Sequence, residues 1–481
     1  MKLKNNSILY ILLVAGALGC ISCKREFLEI TPKGSLIAEK TSDYNALYNN
    51  MMFSTSAEST LYLADDVCSL LPTYTSNSVL AQRLFTFADD LYDEDETPNM
   101  ISIWLKSIYS MNKIVHEVMD SKGGTEAEKR GLLAEARASR ALLHFYLVNL
   151  YGQPYNEATA ATDLGFPIID TYDLTRKDFE RHTVAQVYDF VCDELKASLT
   201  DLPGKISHRY RMSAAAANAY LGRVLVYRGR YAEARPYLEA ALEGAKNASI
   251  PVGLFDYHVE TKAGGAYAPG LFGPTVVDAN NFKEGMHVMP FSISTNLIFF
   301  SASYYIPKAV IDEYTTSDLR RVFLTYTNYA QTKPFANGMA RIFGRTNSFF
   351  FGANISDVNL LLAEVYTREN KLEKGAGLLV DFRKNRMDAQ QANVATGIGQ
   401  KELLHEIIKE RKLEFLGIGD RWFTIRRLSV DPLFPEIANY KHVLYNADGT
   451  VSKEYPLRKE RLTMRLPLKM MLENPGMPQN D

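Results

Sequence analysis

The chain has 481 residues, of which 46% are hydrophobic and 23% are charged. This composition is typical of a folded globular protein and excludes disorder as its main state. Its 54 Lys and Arg residues stand against 56 Asp and Glu residues, so the basic excess that nucleic-acid binding needs is missing, and we predict no nucleic-acid partner. Four cysteines are too few for a disulfide-built scaffold, so ordinary packing must form the core.

Residues 1–22 have the pattern of an export signal: a basic start with Lys2 and Lys4, an apolar run over 8–18, and small residues after it. The apolar run is about half of the ~20 residues that a membrane-spanning helix needs. No later stretch reaches that length, so we expect no transmembrane segment.

A cysteine that follows a small residue at the end of such a signal is the pattern of a lipoprotein signal peptidase site. The acylated cysteine then anchors the mature protein to a membrane. Cys23 is favoured because charged Lys24 and Arg25 follow it, whereas cleavage at the alternative, Cys20, would leave apolar Ile21 in the exported tail. A plain secretory signal with incidental cysteines is the other interpretation.

The two remaining cysteines, Cys68 and Cys192, reach an oxidising environment after export and could form a disulfide. The helical pattern around Cys192 favours a small core residue instead.

Two segments show the pattern of tetratricopeptide-like helix pairs. In each, two small residues lie twelve positions apart, Gly222 with Ala234 and Ala363 with Gly375, as close approach of antiparallel helices requires. Further helices are predicted over residues 43–52, 100–119, 134–152 and 183–202. The helix over 134–152 is strongly amphipathic, and the helix over 183–202 begins at Thr183 as its N-cap. We therefore predict a mostly α fold of about four helix pairs, within about 41–250 and 354–427.

Two long segments, about 54–99 and 251–351, lack the repeat pattern and are irregular and rich in aromatic residues. Long segments of this kind are uncommon unless they carry function, so we predict that they build the ligand site. Alternating residues around 287–291 predict short strands within the second segment.

No catalytic motif is present. His405 and Glu406 lack the second histidine of a zinc-protease helix, and neither a Gly-x-Ser-x-Gly elbow nor a phosphate-binding loop occurs. The eight histidines have no metal-ligand spacing, so we predict no metal, no cofactor and no enzymatic activity. A surface hydrolase stays an alternative hypothesis, because a glycosidase needs only two facing carboxylates.

Aromatic residues are abundant, but almost none of them is Trp: 28 Tyr and 24 Phe accompany only 2 Trp. Sugar-binding surfaces use aromatic faces against the apolar face of a sugar ring, and Tyr can do so while it stays hydrated. Trp104 and Trp422 are predicted to be packing residues.

Five blocks in chain order resemble the SusD/RagB family of outer-membrane lipoproteins. They are Cys23 with Phe27, Leu28, Glu29 and Pro32, then residues 134–152, 211–225, 410–427 and 466–480. Glu29 stands where the family has Asp, and Thr424 and Ile425 stand where an Asp-Leu pair is commoner.

This resemblance implies a helical fold with four tetratricopeptide-like pairs in a surface-exposed, lipid-anchored protein of the cell outer membrane. It implies that the protein binds a nutrient, usually a glycan, and delivers it without catalysis to a TonB-dependent SusC-like transporter that contacts the helix pairs. Four motif residues are predicted to be structural, paired between helices: Arg137, Glu410, Arg411 and Arg421.

Ligand contacts are predicted from the composition of the two irregular segments. The first contributes Asp65, Asp66, Tyr74 and Arg83, and the second contributes Tyr257, Tyr267 and Phe272. Because both Trp lie outside these segments, a peptide or another non-sugar nutrient is the alternative cargo. A helical-repeat scaffold that binds only proteins is a further alternative, although it leaves the irregular segments without a role.

Overall fold

The computed structural model describes residues 38–50, 58–96, 98–173, 175–270, 273–275, 277–291, 304–328, 333–342 and 349–481. Its helices are, in chain order, α1 (Thr41–Asn50), α2 (Glu58–Leu61), α3 (Leu71–Ser76), α4 (Val79–Phe85), α5 (Asn99–Glu117), α6 (Glu126–Tyr151), α7 (Val184–Ser198), α8 (Ala214–Tyr227), α9 (Tyr231–Lys246), α10 (Tyr257–Glu260), α11 (Lys308–Ile311), α12 (Ile355–Arg368), α13 (Leu372–Arg383), α14 (Ala389–Ala392), α15 (Gln400–Glu414), α16 (Asp420–Leu428) and α17 (Leu468–Glu473). The predicted signal peptide and its two cysteines lie outside the described residues.

The strands are short. They are β1 (Ser69–Leu70), β2 (Pro269–Gly270), β3 (Gly273–Pro274), β4 (Gly285–Phe291), β5 (Leu324–Thr325), β6 (Arg341–Ile342), β7 (Phe349–Asn354), β8 (Lys441–Tyr445) and β9 (Val451–Pro456). In the one three-stranded sheet of the described ranges, β8 lies between a parallel β1 and an antiparallel β9. The others form antiparallel pairs, β2 with β3, β4 with β7 and β5 with β6. The strand predicted around 287–291 is confirmed as β4.

Side-chain caps begin two of the long helices. Thr125 accepts a hydrogen bond from the Glu128 N–H at 3.2 Å, and the Glu128 carboxylate accepts one from the Thr125 N–H at 2.6 Å. Thr183 and Gln186 form the same reciprocal pair at the start of α7, which confirms the predicted cap. Each cap satisfies backbone donors that a helix start leaves without partners.

Helix α6 lies at the centre of the fold. Its alanines let neighbouring helices approach closely, and α5, α7 and α8 all pack against it. From Ala134 to Tyr151 every residue except Arg137 is buried. The prediction of a strongly amphipathic helix over 134–152 was therefore wrong, because this part of α6 is enclosed on nearly all sides and only the first turns of the helix, over 126–133, meet solvent.

The two predicted helix pairs are confirmed as α8 with α9 and α12 with α13. A Cβ on Gly222 would lie 2.6 Å from Leu238 of the facing helix, and a Cβ on Gly375 would lie 2.3 Å from Thr367 Oγ1 and 3.0 Å from the Ala363 carbonyl. Helix α9 packs directly on α12, so the two halves of the helical scaffold form one layer. The second irregular segment is inserted in the chain between α9 and α12.

The first irregular segment is more ordered than predicted. It contains α2, α3 and α4 as well as β1, and α2 packs against α16 near the end of the chain. Such short helices contain too few apolar residues at spacings of three or four positions for a sequence pattern to reveal the helices.

Cys68 and Cys192, the two cysteines of the described residues, are both free and buried, so they do not form the disulfide that was one of the two alternatives. Cys192 is a small core residue in α7, as its helical context favoured. Cys68 packs with Tyr305 and Met339.

The close approach of α12 and α13 predicts opposite effects for two neighbouring glycines. Gly375→Ala should lower the free energy of unfolding by about 1–2 kcal/mol, because its Cβ overlaps Thr367 and the Ala363 carbonyl. Gly377→Ala, in the same helix with no atom within 4 Å of its Cβ, should raise it by up to about 1 kcal/mol through helix propensity. Urea unfolding of both variants tests this, and stabilisation of equal size in both would contradict the packing.

Candidate ligand-binding surface

Two of the predicted ligand contacts are core residues. Tyr257 and Tyr267 are each only 1% exposed and pack edge to face with one another and with Phe323, at ring separations between 5.0 and 5.8 Å. The guanidinium of Arg386 lies 4.3 Å from the Tyr257 ring centre. Their prediction as ligand contacts was wrong, because neither ring has a face that a ligand could reach. Phe272 lies outside the described residues.

Asp65 is engaged by the protein itself. Arg421 Nε and Nη2 donate to its two carboxylate oxygens, each at 2.7 Å, and Lys412 Nζ lies 3.8 Å away. Burial alone would raise the pKa of Asp65, but the charge and hydrogen bonds of Arg421 lower it to about 2. The carboxylate is therefore a fixed partner that joins the first irregular segment to α16.

Asp66 lies beside this pair and is only 4% exposed. Burial, and then the negative charge of Asp65, raise its pKa to about 7, against the opposing charges of Lys412 and Arg421. A protonated carboxyl that water does not reach is a poor ligand contact, so the structure argues against this residue as well.

Tyr74 and Arg83 are the predicted contacts that stay near the surface. Arg83 is partly exposed and donates to Asp93 at 2.8 Å and to the Leu91 carbonyl at 3.3 Å. Tyr74, on α3, is half-buried, and its ring lies 5.8 Å from that of Phe85. The predicted ligand contacts therefore do not form one site: some lie in the core, some are held in ion pairs, and Tyr74 lies near the surface.

Tyr74 belongs to a surface where the two irregular segments meet strands β8 and β9. We call it the aromatic surface, and its partly exposed side chains are Tyr74, Phe335, Arg341, Tyr445 and Tyr455. Leu70 pairs with Tyr445 across β1 and β8. Both side chains and Phe335 pack against the buried cluster of Cys68, Tyr305 and Met339.

The buried ring of Tyr305 forms the floor of this surface. Its hydroxyl lies 3.1 Å from Thr73 Oγ1 and accepts a hydrogen bond from Arg341 Nη2 at 2.6 Å. Because Thr73 is next to Tyr74, this contact joins the two halves of the aromatic surface. Tyr455 and Tyr74 also share a hydrogen bond between their side chains, and burial raises the pKa of Tyr74.

Arg341 contributes a positive charge to the aromatic surface, as does Lys453, whose Nζ lies 5.0 Å from the centre of the Tyr455 ring. Its guanidinium carbon lies 4.3 Å from the centre of the Tyr305 ring and 4.9 Å from that of Phe335. Burial lowers the pKa of Arg341, since no carboxylate of the described chain pairs with it. Its Nε is buried and has no hydrogen-bond partner among the described residues, so this donor does not face the surface.

Most of the aromatic surface was missed from the sequence. One usable signal was the stretch from Asn446 to Gly449 between two alternating runs, which is typical of a hairpin turn. Gly449 has φ +89°, as such a turn requires. That hairpin brings Tyr445 and Tyr455 to the surface.

The motif residues predicted to be structural do form ion pairs between elements. Arg137 pairs with Glu194 at 2.9 Å, and Arg411 pairs with Asp357 at 2.7 Å. Glu410, which is 1% exposed, lies 2.6 Å from both Arg320 and Arg383.

The fold thus defines a helical-repeat protein that holds an aromatic surface between its irregular segments. Residues 26–226 match a family of SusD-like proteins that is described as starch-binding and associating with the outer membrane. SusD-like protein P2 of Formosa agariphila is 24% identical, over 89% of this chain and 91% of its own.

Solved structures share the whole fold. A SusD superfamily protein of Bacteroides thetaiotaomicron has a TM-score of 0.72 at 16% identity, with 92% of this chain and 100% of the other covered. A putative sugar binding protein of Bacteroides vulgatus has a TM-score of 0.70 at 20% identity, with 93% and 99% covered. The predicted SusD-like resemblance and the mostly α, tetratricopeptide-like fold are confirmed.

No helix among the described residues is long and apolar enough to span a membrane. No three His, Cys, Asp or Glu side chains in the described ranges gather where they could hold a metal ion.

The raised pKa of Asp66 predicts a pH-dependent stability. Because the folded protein holds this proton up to about pH 7 and an unfolded Asp loses it near pH ~3.9, the contribution of Asp66 is full below pH ~4 and is lost as the pH rises to 7. Asn cannot ionise, so the free energy of unfolding of Asp66→Asn, relative to that of the native protein, should rise by about 1–3 kcal/mol between pH 5 and 8. Urea unfolding across this range measures the difference.

The adjacent carboxylate provides the control with the opposite sign. The lowered pKa of Asp65 makes its stabilisation complete above pH ~4 and lost as the pH falls toward 2. Asp65→Asn should therefore be less stable than the native protein at pH 7 and approach it in acid. A difference between Asp66→Asn and the native protein that does not change with pH would contradict the assignment.

Proposed function

We propose that this protein is a lipid-anchored lipoprotein, exposed at the surface of the outer membrane, that binds an oligosaccharide or polysaccharide. It passes this nutrient to a SusC-like TonB-dependent transporter and performs no catalysis. The observation that carries the proposal is the aromatic surface, where both irregular segments meet the β8–β9 hairpin.

The chemistry of the aromatic surface suits a sugar. A pyranose ring has an apolar face that packs on aromatic rings and a rim of hydroxyl groups that need hydrogen-bond partners. Phe335, Tyr445 and Tyr455 provide ring surface, and the Tyr hydroxyls with the partly exposed side chain of Arg341 provide polar partners. The rigid setting of Arg341 on two rings lowers the entropy lost on binding.

The anchor is supported by the sequence before residue 24 and by the family description, which places such proteins with the outer membrane. An acyl chain contributes about 0.8 kcal/mol per buried CH₂, and firm attachment takes two such signals. A diacylated cysteine meets this condition.

The transporter partner is what the resemblance of the five sequence blocks to SusD/RagB proteins implies. Copurification tests it: an affinity-tagged full-length protein, extracted from outer membranes, should bring down a TonB-dependent channel. Recovery of the protein without such a channel under mild detergent would speak against the partnership.

The aromatic surface predicts which side chains carry glycan binding. Tyr445→Ala and Tyr74→Ala should each weaken binding of a malto-oligosaccharide, or of the glycan that a panel identifies, by about tenfold or more, which corresponds to ~1.4 kcal/mol. Each variant loses one ring face. Isothermal titration calorimetry on the mature chain measures the affinity.

Tyr237→Ala provides the matched control, because Tyr237 is also half-buried but lies on α9 in the helical scaffold. It should bind like the native protein. Binding of a peptide digest with no glycan binding would favour the alternative cargo, and equal loss in all three variants would remove the aromatic surface from the proposal. Hydrolysis of any bound polysaccharide would revive the surface hydrolase.

Lipid attachment predicts a difference between the two candidate cysteines. Cys23→Ser should abolish incorporation of an alkyne-labelled fatty acid and release the protein from the membrane fraction, while Cys20→Ser should leave both unchanged. Gel fluorescence after click labelling reads the result. The reverse pattern would move the attachment to Cys20, and labelling of both variants would exclude a single acylated cysteine.

A further inference from the structure

The first irregular segment and strand β8 meet at a histidine, His442, whose ring is fully buried. Each ring nitrogen lies 2.8 Å from a backbone carbonyl oxygen, Nδ1 from that of Phe85 and Nε2 from that of Ala64. Both carbonyls belong to the first irregular segment, whereas His442 lies in the middle strand of the three-stranded sheet. The two contacts therefore join parts of the chain that are 357 and 378 positions apart.

A neutral imidazole cannot make both of these hydrogen bonds. It has one N–H and one nitrogen with a lone pair, whereas a carbonyl oxygen only accepts. A second buried histidine, His144, has the arrangement that suits a neutral ring: its Nδ1 lies 2.8 Å from the Arg140 carbonyl, and its Nε2 accepts from the Ile169 N–H at 3.0 Å. His442 has an acceptor on both sides, so only the imidazolium, with two N–H groups, satisfies both contacts.

The surroundings of His442 also suit a positive charge. The rings of Phe85 and Phe87 are stacked on the imidazole at 4.8 and 4.4 Å, and aromatic faces attract cations. Phe85 is the last residue of α4, and the carbonyls at the end of a helix lack partners within it and favour a positive charge. Phe87 has φ +51°, an unfavourable left-handed conformation for a bulky residue, and this turn holds its ring against the imidazole.

Burial opposes the charge of the imidazolium. It lowers the pKa of His442, whereas the hydrogen bonds to the two carbonyls and the negative charge of Asp65 act in the opposite direction. Because the pKa lies below the ordinary value of ~6.5, the ring is neutral at pH 7.5 and takes up its second proton on acidification. The other titratable or charged side chains on the elements around the ring are Asp66, Arg421, Tyr440, Tyr455 and Arg458.

Phe85 connects His442 to the aromatic surface. The Phe85 ring lies 5.8 Å from the ring of Tyr74 and 6.1 Å from that of Tyr455. The imidazole thus contacts Phe85 twice, through its carbonyl and through its ring, and Phe85 in turn contacts two side chains of the aromatic surface. A change in the hydrogen bonds of His442 is therefore passed to these two tyrosines by direct contact.

We propose that His442 is a positioning residue for the aromatic surface. With a proton on both nitrogens, it holds the carbonyls of Phe85 and Ala64 at once, and Phe85 keeps the rings of Tyr74 and Tyr455 in place. In the neutral ring a nitrogen lone pair faces a carbonyl oxygen, so that one of the two contacts opens and the tyrosines are held less firmly. Glycan binding is therefore tighter in mild acid than at neutral pH. Only this last step rests on the proposed function.

The first test needs no ligand. Nitrogen NMR of the mature chain with labelled histidine, from pH 7.5 down to pH 5, should show one ring proton on His442 become two. His144 is the internal control, because burial lowers its pKa to about 4 and its ring should keep one proton throughout. The ring signals of Tyr74 and Tyr455 should change with the same midpoint as His442. A single ring proton on His442 at every pH, or tyrosine signals that do not follow it, would overturn the proposal.

The second test measures the affinity for maltoheptaose, or for the oligosaccharide that the native protein binds in a panel. It uses the Asp66→Asn variant, because Asp66 has a pKa of about 7 and would add its own pH dependence. In calorimetry the affinity should be tighter by about threefold or more at pH 5 than at pH 7.5, the effect of one hydrogen bond. By reciprocity, the bound glycan should raise the proton affinity of His442 by the same factor.

Two substitutions, each added to Asp66→Asn, remove the titration while they keep one donor. His442→Asn keeps an N–H at the position of Nδ1, and His442→Gln keeps one at the position of Nε2. In both, the affinity should no longer change between pH 5 and 7.5, whereas the exposed control His208→Gln should keep the change.

The outcomes separate this inference from the proposed function. An affinity that does not depend on pH in Asp66→Asn, or a pH dependence that persists in both His442 variants, would overturn the role of His442. If the native protein binds no oligosaccharide, the proposed function fails alone, and the NMR signals of His442 and the two tyrosines still decide the positioning. The same NMR experiment on the native chain decides it where a His442 variant does not fold.

Discussion

A buried network of ion pairs around Glu410 and Glu414 is the constraint on which the rest of the structure depends. These glutamates lie one turn apart on α15, and each is 1% exposed. Arg320 lies 2.6 Å from Glu410 and 3.0 Å from Glu414, and Arg386 joins Glu414 to Glu284 at 3.0 and 2.7 Å. Loss of one partner in such a network leaves an uncompensated buried charge, which typically costs about 3–5 kcal/mol. Burial without partners is so unfavourable that the network permits essentially one arrangement of the segments that contribute to it.

The network explains how irregular segments come to occupy defined positions on a helical scaffold. Arg320 and Glu284 belong to the second irregular segment, and Glu410 and Glu414 belong to the scaffold. Asp65 of the first irregular segment makes the equivalent connection to Arg421 on α16. Both segments are thus fixed to the closing helices, and strand β8, which follows those helices, completes the sheet with β1. The aromatic surface forms because these connections bring the two segments to the same place.

The paired helices of the scaffold could be predicted from the sequence, whereas the short helices of the first irregular segment and much of the site could not. Helix pairs repeat small residues such as Gly222 and Gly375 at a fixed spacing, and this local pattern reports a local contact. Whether an aspartate or a tyrosine in an irregular segment meets solvent depends on partners far along the chain. Asp65 has its partner 356 positions away, and composition contains no information on that distance. A half-buried tyrosine at the surface, such as Tyr74, and a core tyrosine, such as Tyr257, therefore cannot be distinguished from the sequence alone.

The same pairing rule limits what the charges of this chain can do for a ligand. The chain is nearly neutral, with a formal charge of -2, and much of its charge is consumed in internal pairs, so its long-range field is weak. Screening at physiological ionic strength confines an exposed charge to about 8 Å. Charged side chains of this protein can therefore select a ligand only in contact with it, at places where neighbouring side chains exclude part of the solvent.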